Sequence, residues 1–331
     1  MSKTPVKRIP RTQWFSTLIG MQESDWDFGV DSLPAHVIDG MGDFMTISLM
    51  DLETMVDLMP QHETIPPIHL FTRKSFTHEE EFDTSSLQCK APTNSIFQVA
   101  SNFNCLEVSS TTDNPLDKNY LSFLMGDKTQ GPSAMGGTGY GSMRIIHEHH
   151  KKTISLLDDV CVSDKNGKLY ESRLRLSDLK DVAQNYKRMK VGVLRNARAI
   201  IDRNQTFGDS VLYYPKGKRI HQVLTSTCIV RKTSKKALEF QKWFLRVAYE
   251  AIYLLAIEYQ SPWLVLTFVG GGVFKNDIDT IIQVICETHQ KYSKYLSEKC
   301  RVMLPVYMPR HNRKIVEQFE KFVPVTFTQR E

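Results

Sequence analysis

LTFVGGGVFKND, Leu266 to Asp277, is the stretch on which the reading of this chain turns. An apolar run rich in β-formers breaks into three consecutive glycines, Gly270 to Gly272, and then resumes with Val273, Phe274 and a segment of helical pattern. Just before it, about Ser234 to Glu258, Leu238, Trp243, Leu245, Val247, Ala248, Ala251, Leu254 and Leu255 give a long helix its thick apolar face. Helix, apolar strand, glycine loop and helix is the order in which α/β proteins build anion sites. Glycines let main-chain N–H groups approach a phosphate, and the next helix offers its N-terminal N–H groups and positive dipole end. The stretch lacks both G-x-G-x-x-G and a G-K-[ST] after the glycines, so it is neither a dinucleotide fingerprint nor a Walker loop. Taken alone, it equally suits a tight strand-to-helix turn that holds nothing.

Working outward, SIFQVASNFNCLEV (Ser95 to Val108) reads as a buried strand running into a polar turn at Ser101, Asn102 and Asn104. TQGPSAMGGTGYGSM (Thr129 to Met143) is a loop of small residues, residues 172 to 190 look helical, and Val223 to Val230 is an apolar strand core. In MGDFMTISLMDLETMVDLMP, Met45, Leu49, Leu52, Met55, Val56 and Met59 recur near helical spacing, which predicts a helical lead-in that Pro66-Pro67 ends. The expected division is therefore an N-terminal helical extension over 1–65, packed on a domain over 66–331.

Composition bounds the function classes. The chain of 331 residues is 41% hydrophobic and 24% charged, as in a globular protein with a large core. Its charge of +5, from 42 basic and 37 acidic residues, suits an anionic ligand and falls short of a dedicated nucleic-acid binder. No apolar run reaches the roughly 18 residues of a membrane span, and MSKTPVKRIPRTQWF lacks the apolar stretch of a signal peptide, so an intracellular protein without a membrane partner is expected. Six scattered cysteines read as reduced thiols, and HEHH (His147 to His150) as a solvated segment rather than a metal site. The basic stretches Lys187 to Arg203 and Tyr214 to Arg219 read as solvated surface. Ser101 and Ser226 have no His and Asp at a spacing that would mark a nucleophile.

Four blocks in order, FQVASNFNCLE, DKTQGPSAM, the helix containing VAYEAIYLLA, and LTFVGGGVFKN, together resemble one family. It is the macrodomain-like group of ADP-ribose-binding and ADP-ribosyl glycohydrolase proteins, in the divergent branch related to poly(ADP-ribose) glycohydrolase and to bacterial effector hydrolases. The blocks run from Phe97 to Ile285. The resemblance implies a three-layer α/β/α fold with a mixed sheet, no cofactor and no metal. It implies ADP-ribose or an ADP-ribosylated protein as partner, and a cytoplasmic or nuclear location, or the host cytosol for a secreted effector.

Residue by residue, the resemblance assigns the distal ribose to the turn bearing Asn102 and Asn104, with Asn104 preferred. The first glycine-rich loop, Gln130 to Gly141 with Thr129, Gln130 and Gly131 at its start, passes near the diphosphate and proximal ribose. Gly270, Gly271, Gly272, Val273 and Phe274 form the second phosphate loop, with Phe274 beside the ribose or diphosphate and Asn276 just after it. Cleaving a glycosidic bond at the anomeric carbon passes through a cation-like transition state and needs a carboxyl group. Asp127 is the first candidate and Glu107 the second. Three departures stand against the pattern: no R-N-Y follows the first loop, Lys275 replaces a small glycine, and the double glutamate of poly(ADP-ribose) glycohydrolases is missing. The departures keep two other readings open, a module that binds ADP-ribose or a related nucleotide without turnover and a scaffold that has lost the ligand.

Overall fold

Apolar side chains dominate IHLFT, IFQVA and RVMLPV, and such runs suit strands buried on both faces of a parallel sheet. The computed structural model describes residues 6–10, 13, 16–17, 20–25, 34–60, 62–72, 84–106, 154–157, 160–164, 167–202, 210–232, 234–306 and 312–328. In chain order its elements are β1 (Lys7–Pro10), α1 (Ala35–Met41), β2 (Asp43–Ser48), α2 (Leu49–Met55), β3 (Ile68–Thr72), α3 (Thr84–Lys90) and β4 (Ile96–Ala100). There follow α4 (Leu176–Asn185), β5 (Lys190–Arg198), β6 (Ile201–Asp202), β7 (Ser210–Tyr213), β8 (Arg219–Thr225) and α5 (Lys235–Glu258). The chain continues through β9 (Trp263–Val265), α6 (Ile278–Tyr292), β10 (Arg301–Val306), α7 (Asn312–Glu320) and β11 (Val325–Thr328).

Eight strands form one mixed sheet in the order β11-β3-β10-β9-β4-β8-β5-β2, and β1, β7 and β6 form a small sheet of three. From β11 to β8 every neighbour is parallel; β5 then pairs antiparallel with β8, and β2 antiparallel with β5. Alternation along the strands sends side chains to two cores. Leu264, Val302 and Leu304 join α5 and α6 in the larger core, while Phe97, Val265 and Met303 meet Leu87 and Cys89 of α3 in the smaller. Helices thus cover both faces of the sheet, the three-layer α/β architecture that the resemblance implies. Helix α5 is the centre of the thicker layer, with α2, α4 and α6 packed against it, so it is buried nearly all round.

Three local expectations are corrected. Residues 43–48, read as helix, form β2 at the edge of the main sheet. Met45 and Ile47 fit the two-residue period of a strand as well as they fit a helix, and pairing with β5 decides between them. The strand placed at Val223 to Val230 starts earlier, at Arg219, and ends at Thr225. The strand leading into the glycines is Trp263–Val265, so LTFV has already left the sheet.

The topology fixes where a cleft opens. Strands β4 and β9 are neighbours, yet β4 leads on toward β5 on one side and β9 toward β10 on the other. In open α/β sheets the crevice beyond the carboxyl ends of two such strands is the place for a ligand. Here it lies between the turn after β4 and the glycine loop after β9.

Behind this sheet, His289 of α6 is fully buried. Its Nε2 donates to the Pro66 carbonyl at 2.7 Å, which leaves Nδ1 to accept from Tyr253 of α5 at 2.8 Å. Burial pulls the imidazole from its usual 6.5 to about 4. The unfolded chain therefore binds the proton first, and stability present above pH 6.5 is lost as pH falls toward 4. Between pH 7 and pH 5 the loss through His289 is on the order of 2 kcal/mol. Urea unfolding at the two pH values should show a smaller drop in His289→Gln than in the native chain; equal drops would contradict this assignment.

Candidate functional site

The first wall of the crevice is the turn after β4. Ser101 donates its amide to Thr225 at 2.9 Å, Asn102 to Leu106 at 2.8 Å, and Cys105 to Asn102 at 2.9 Å, so the chain reverses tightly. Asn104 is buried at 5% exposure; its Oδ1 accepts from the Leu106 amide at 3.1 Å, and its side chain packs on Gly167. Asn102 behaves differently. Its carboxamide is fully buried, and neither Oδ1 nor Nδ2 has a hydrogen-bond partner among the described residues. An unpaired buried amide costs about 1–3 kcal/mol.

The second wall is the glycine loop, held from outside by buried polar side chains. Tyr249 of α5 donates to the Thr267 carbonyl at 2.7 Å and accepts from the Val269 amide at 3.2 Å. Gln98 of β4 accepts from the Thr267 amide at 3.0 Å and donates back to Ala248 of α5 at 3.2 Å. At the far end Gln241 of α5 clasps Asp277, donating to its carbonyl at 2.9 Å and accepting from its amide at 3.1 Å. Asn276 closes the loop on the segment after β8: Nδ2 donates to Cys228 at 2.8 Å and Oδ1 accepts from Thr227 at 3.1 Å. The Asn276 carboxamide is thus engaged in holding the loop.

The glycines are not equivalent. Gly270 has φ +75°, and a Cβ there would lie 2.3 Å from Thr227 Cγ2 and 2.8 Å from Asn276 Nδ2. Gly271 has no left-handed φ, and a Cβ on Gly272 would meet nothing within 4 Å. The strict requirement for bare backbone therefore falls on Gly270. Within the loop the Gly271 amide bonds Phe268, Lys275 bonds Gly272, and Asn276 bonds Gly270, each at 3.0 Å. The successive amides of Gly272, Val273 and Phe274 have no acceptor among the described residues, and the Val273 side chain is 87% exposed.

The helix end is less available than the sequence suggests. Helix α6 starts at Ile278, where the Asp277 carboxylate caps it by accepting from the Thr280 amide at 2.8 Å and hydroxyl at 2.7 Å. The free loop amides, rather than the helix N-terminus, are what remain for an anion. Lys275 lies before that helix start, not on it, and takes φ +55°. This is the left-handed region that favours glycine, the residue that the resemblance places there.

Thr227, Cys228 and Ile229 complete the floor, with Val230 donating to Phe274 at 2.9 Å. Ser226 Oγ is buried beside them without a partner among the described residues, lining a small void with Phe103, Phe244 and Ala248. The structure thus brings Asn102, Asn104, Gly270, Gly271, Gly272, Val273, Phe274 and Asn276 to one end of the sheet. Glu107, Asp127, Thr129, Gln130, Gly131 and the His147 to His150 segment lie outside the described residues. Sequence reasoning missed Gln98, Gln241 and Tyr249; the available signal was a glutamine inside the apolar strand IFQVA and polar groups on the buried side of α5.

The six cysteines form no disulfide, and burial pushes the thiols of Cys161, Cys228, Cys286 and Cys300 up to about 12, far from a reactive thiolate. Among the described residues no group of three His, Cys, Asp or Glu is placed to hold a metal, and no helix is long and apolar enough to cross a membrane.

No protein-family profile matches the chain, and no curated protein does. Solved structures similar to it include a poly(ADP-ribose) glycohydrolase from Thermomonospora curvata, at 12% identity and TM-score 0.48 over 94% of this chain and 98% of that one. A poly(ADP-ribose) glycohydrolase from Deinococcus radiodurans in complex with ADP-ribose is similar at 13% identity and TM-score 0.45, over 87% and 96%. An Oceanobacillus iheyensis macrodomain with MES bound is similar at 10% identity and TM-score 0.39, over 85% and 97%.

The loop geometry sets opposite expectations for two neighbours. Gly270→Ala should lower the unfolding free energy by about 2 kcal/mol or more, through the Thr227 clash and the positive φ. Lys275→Gly should leave it unchanged or raise it by up to about 1 kcal/mol, because relief of the left-handed strain exceeds the added entropy of the unfolded chain. Urea titrations of both variants check the pair, and a neutral Gly270→Ala would show that the loop is not held as described.

Proposed function

We propose that the chain binds ADP-ribose in the crevice beyond β4, β8 and β9, and that its reaction is hydrolytic release of ADP-ribose from a modified protein. The observation that carries the binding half is Asn102, whose buried carboxamide lacks a partner at the mouth of a topological switch point. A carboxamide both donates and accepts, which matches a ribose hydroxyl. Across the crevice, the free amides of Gly272 to Phe274 suit a diphosphate, a charge they can meet with their donor ends.

The hydrolytic half rests on the resemblance of the DKTQGPSAM block. In it Asp127 protonates the departing side-chain atom or orients water at the anomeric carbon, with Glu107 as the alternative carboxylate. Water adds to the sugar carbon, and the protein side chain leaves with a proton. In the described part of the glycine-loop wall the Asp277 carboxylate is committed to capping α6. An acid from the first glycine-rich loop is therefore what the reaction requires. Binding without turnover is the alternative this leaves. The corresponding location is wherever ADP-ribosylated proteins occur, in the cytoplasm or nucleus, or in a host cytosol for a secreted effector.

Calorimetric titration of ADP-ribose and release of ADP-ribose from a modified protein test the two halves separately. Asn102→Ala should weaken binding by about tenfold or more with little change in melting temperature, since the side chain it removes makes no hydrogen bond among the described residues. Asp127→Asn should cut release by roughly a hundredfold while changing affinity little. A native chain that does not bind ADP-ribose sinks the whole reading; one that binds but releases nothing is a binding module.

A further inference from the structure

Gly167 to Glu171 forms a strip beside the segment after β8. Gly167 O accepts from the Phe103 amide at 2.7 Å, Leu169 O from Ile229 at 2.7 Å, and Ile229 O from Glu171 at 3.0 Å, so that Tyr170 bridges Ile229 in parallel. Val230, the next residue, donates to Phe274 of the glycine loop at 2.9 Å. The main chain thus sets Tyr170 and Arg231 beside the end of that loop.

Two guanidinium groups from separate segments meet at the Tyr170 ring. The central carbons of Arg173 and Arg231 lie 4.8 and 5.3 Å from its centroid, and both residues are exposed. Neither side chain makes an ion pair or a hydrogen bond among the described residues. Of the acids next to Arg173 in sequence, Glu171 is buried at 8% exposure and Asp178 is held by Arg175. Lys232 and Lys275, one residue beyond Arg231 and Phe274, are also exposed and without an ion pair among the described residues.

An aromatic face attracts a cation but accepts little from its N–H groups, so the donors of both guanidiniums remain for a ligand. Like charges gathered at one ring repel, and an anion that joins them offsets the repulsion. The planar guanidinium matches a carboxylate, which it can bind through two parallel hydrogen bonds. Val273, between the glycines and Phe274, adds an apolar side chain that is 87% exposed. A nucleic acid asks for a longer track of cations, and a net charge of +5 does not favour one.

We propose that this flank docks an acidic segment of a partner protein, with Arg173 and Arg231 receiving its carboxylates and Val273 meeting an apolar side chain. The assignment deepens the reading of the crevice as a site for a modified protein and rests on it. The substrate is then a protein whose ADP-ribose is attached within a stretch rich in Asp or Glu.

The test is fluorescence anisotropy on the full chain with a labelled peptide of alternating Glu and Leu, its Gln and Leu counterpart, and a single-stranded oligonucleotide of equal charge. The Glu peptide should bind at least about tenfold more tightly than the Gln peptide, and its affinity should fall with salt. Arg173→Gln with Arg231→Gln should remove about tenfold or more of that affinity, flatten the salt dependence, and leave melting temperature and ADP-ribose binding near native. Each single variant should give part of the loss, and Arg173→Lys with Arg231→Lys should keep part of the affinity. Equal binding of the two peptides by the native chain overturns the proposal. So does a native affinity for the Glu peptide in both single variants, even where the double variant does not fold. Tighter, arginine-dependent binding of the oligonucleotide overturns it in favour of a nucleic-acid surface. Arginine-dependent binding of the Glu peptide by a chain that does not bind ADP-ribose sustains the docking surface and removes the ADP-ribose reading.

Discussion

The clasp of Gln241 on the main chain of Asp277, with Tyr249 and Gln98 on Thr267, is the constraint on which the site depends. A run of three glycines has the largest conformational entropy to lose on folding, and it has no side chains with which to fix itself. The fixing is done from α5 and β4, the most deeply buried helix and the strand at the centre of the cleft. Because Gln98, Gln241 and Tyr249 are themselves fully buried, removing the main-chain partner leaves their polar ends without water, so each bond contributes more than a surface bond would. The loop is therefore rigid for reasons outside itself, and its amides are oriented before any ligand arrives.

The same economy appears in the sheet. β4 and β9 pair only over Ile96 to Phe97 and Leu264 to Val265, after which the Gln98 side chain, rather than the main chain, reaches Thr267. The two strands part where the topology switches direction. A side-chain bond there keeps the walls together while leaving space between them. The strip from Gly167 to Glu171 performs the complementary task on the other flank, joining the asparagine turn to the segment after β8 and through Val230 to Phe274.

Much of this was legible in the sequence, in proportion to how local its cause is. Helix α5 and the strand IFQVA are written in apolar periodicity, and both lie where the pattern puts them. The helix after the glycines is written in its period, although its start at Ile278 is set by the Asp277 cap and not by the glycines. Strand β2 was misread because a six-residue run with Met45 and Ile47 serves both periods, and only its pairing with β5 distinguishes them. Which glycine is indispensable was not legible at all. That depends on Thr227 and Asn276, and Thr227 is distant along the chain from the loop it presses against. Likewise, Asn102 and Asn104 are equivalent as letters; the difference is that the Leu106 amide reaches Asn104 Oδ1, while no described residue bonds the Asn102 carboxamide.

That difference separates holding groups from waiting ones. Asn276, Gln241, Gln98, Tyr249 and Asn104 carry their hydrogen bonds within the protein, and their effect is to stabilise a shape. Asn102 is buried as deeply, and its carboxamide has no partner among the described residues. Unpaired groups of this kind subtract from a stability of only about 5–15 kcal/mol in a typical domain, so a fold tolerates them where the surrounding structure holds firm. In this chain Asn102 follows β4, the strand whose Gln98 helps to hold the glycine loop. A carboxamide can be kept out of water and unpaired only where the neighbouring groups are too well fixed to collapse onto it.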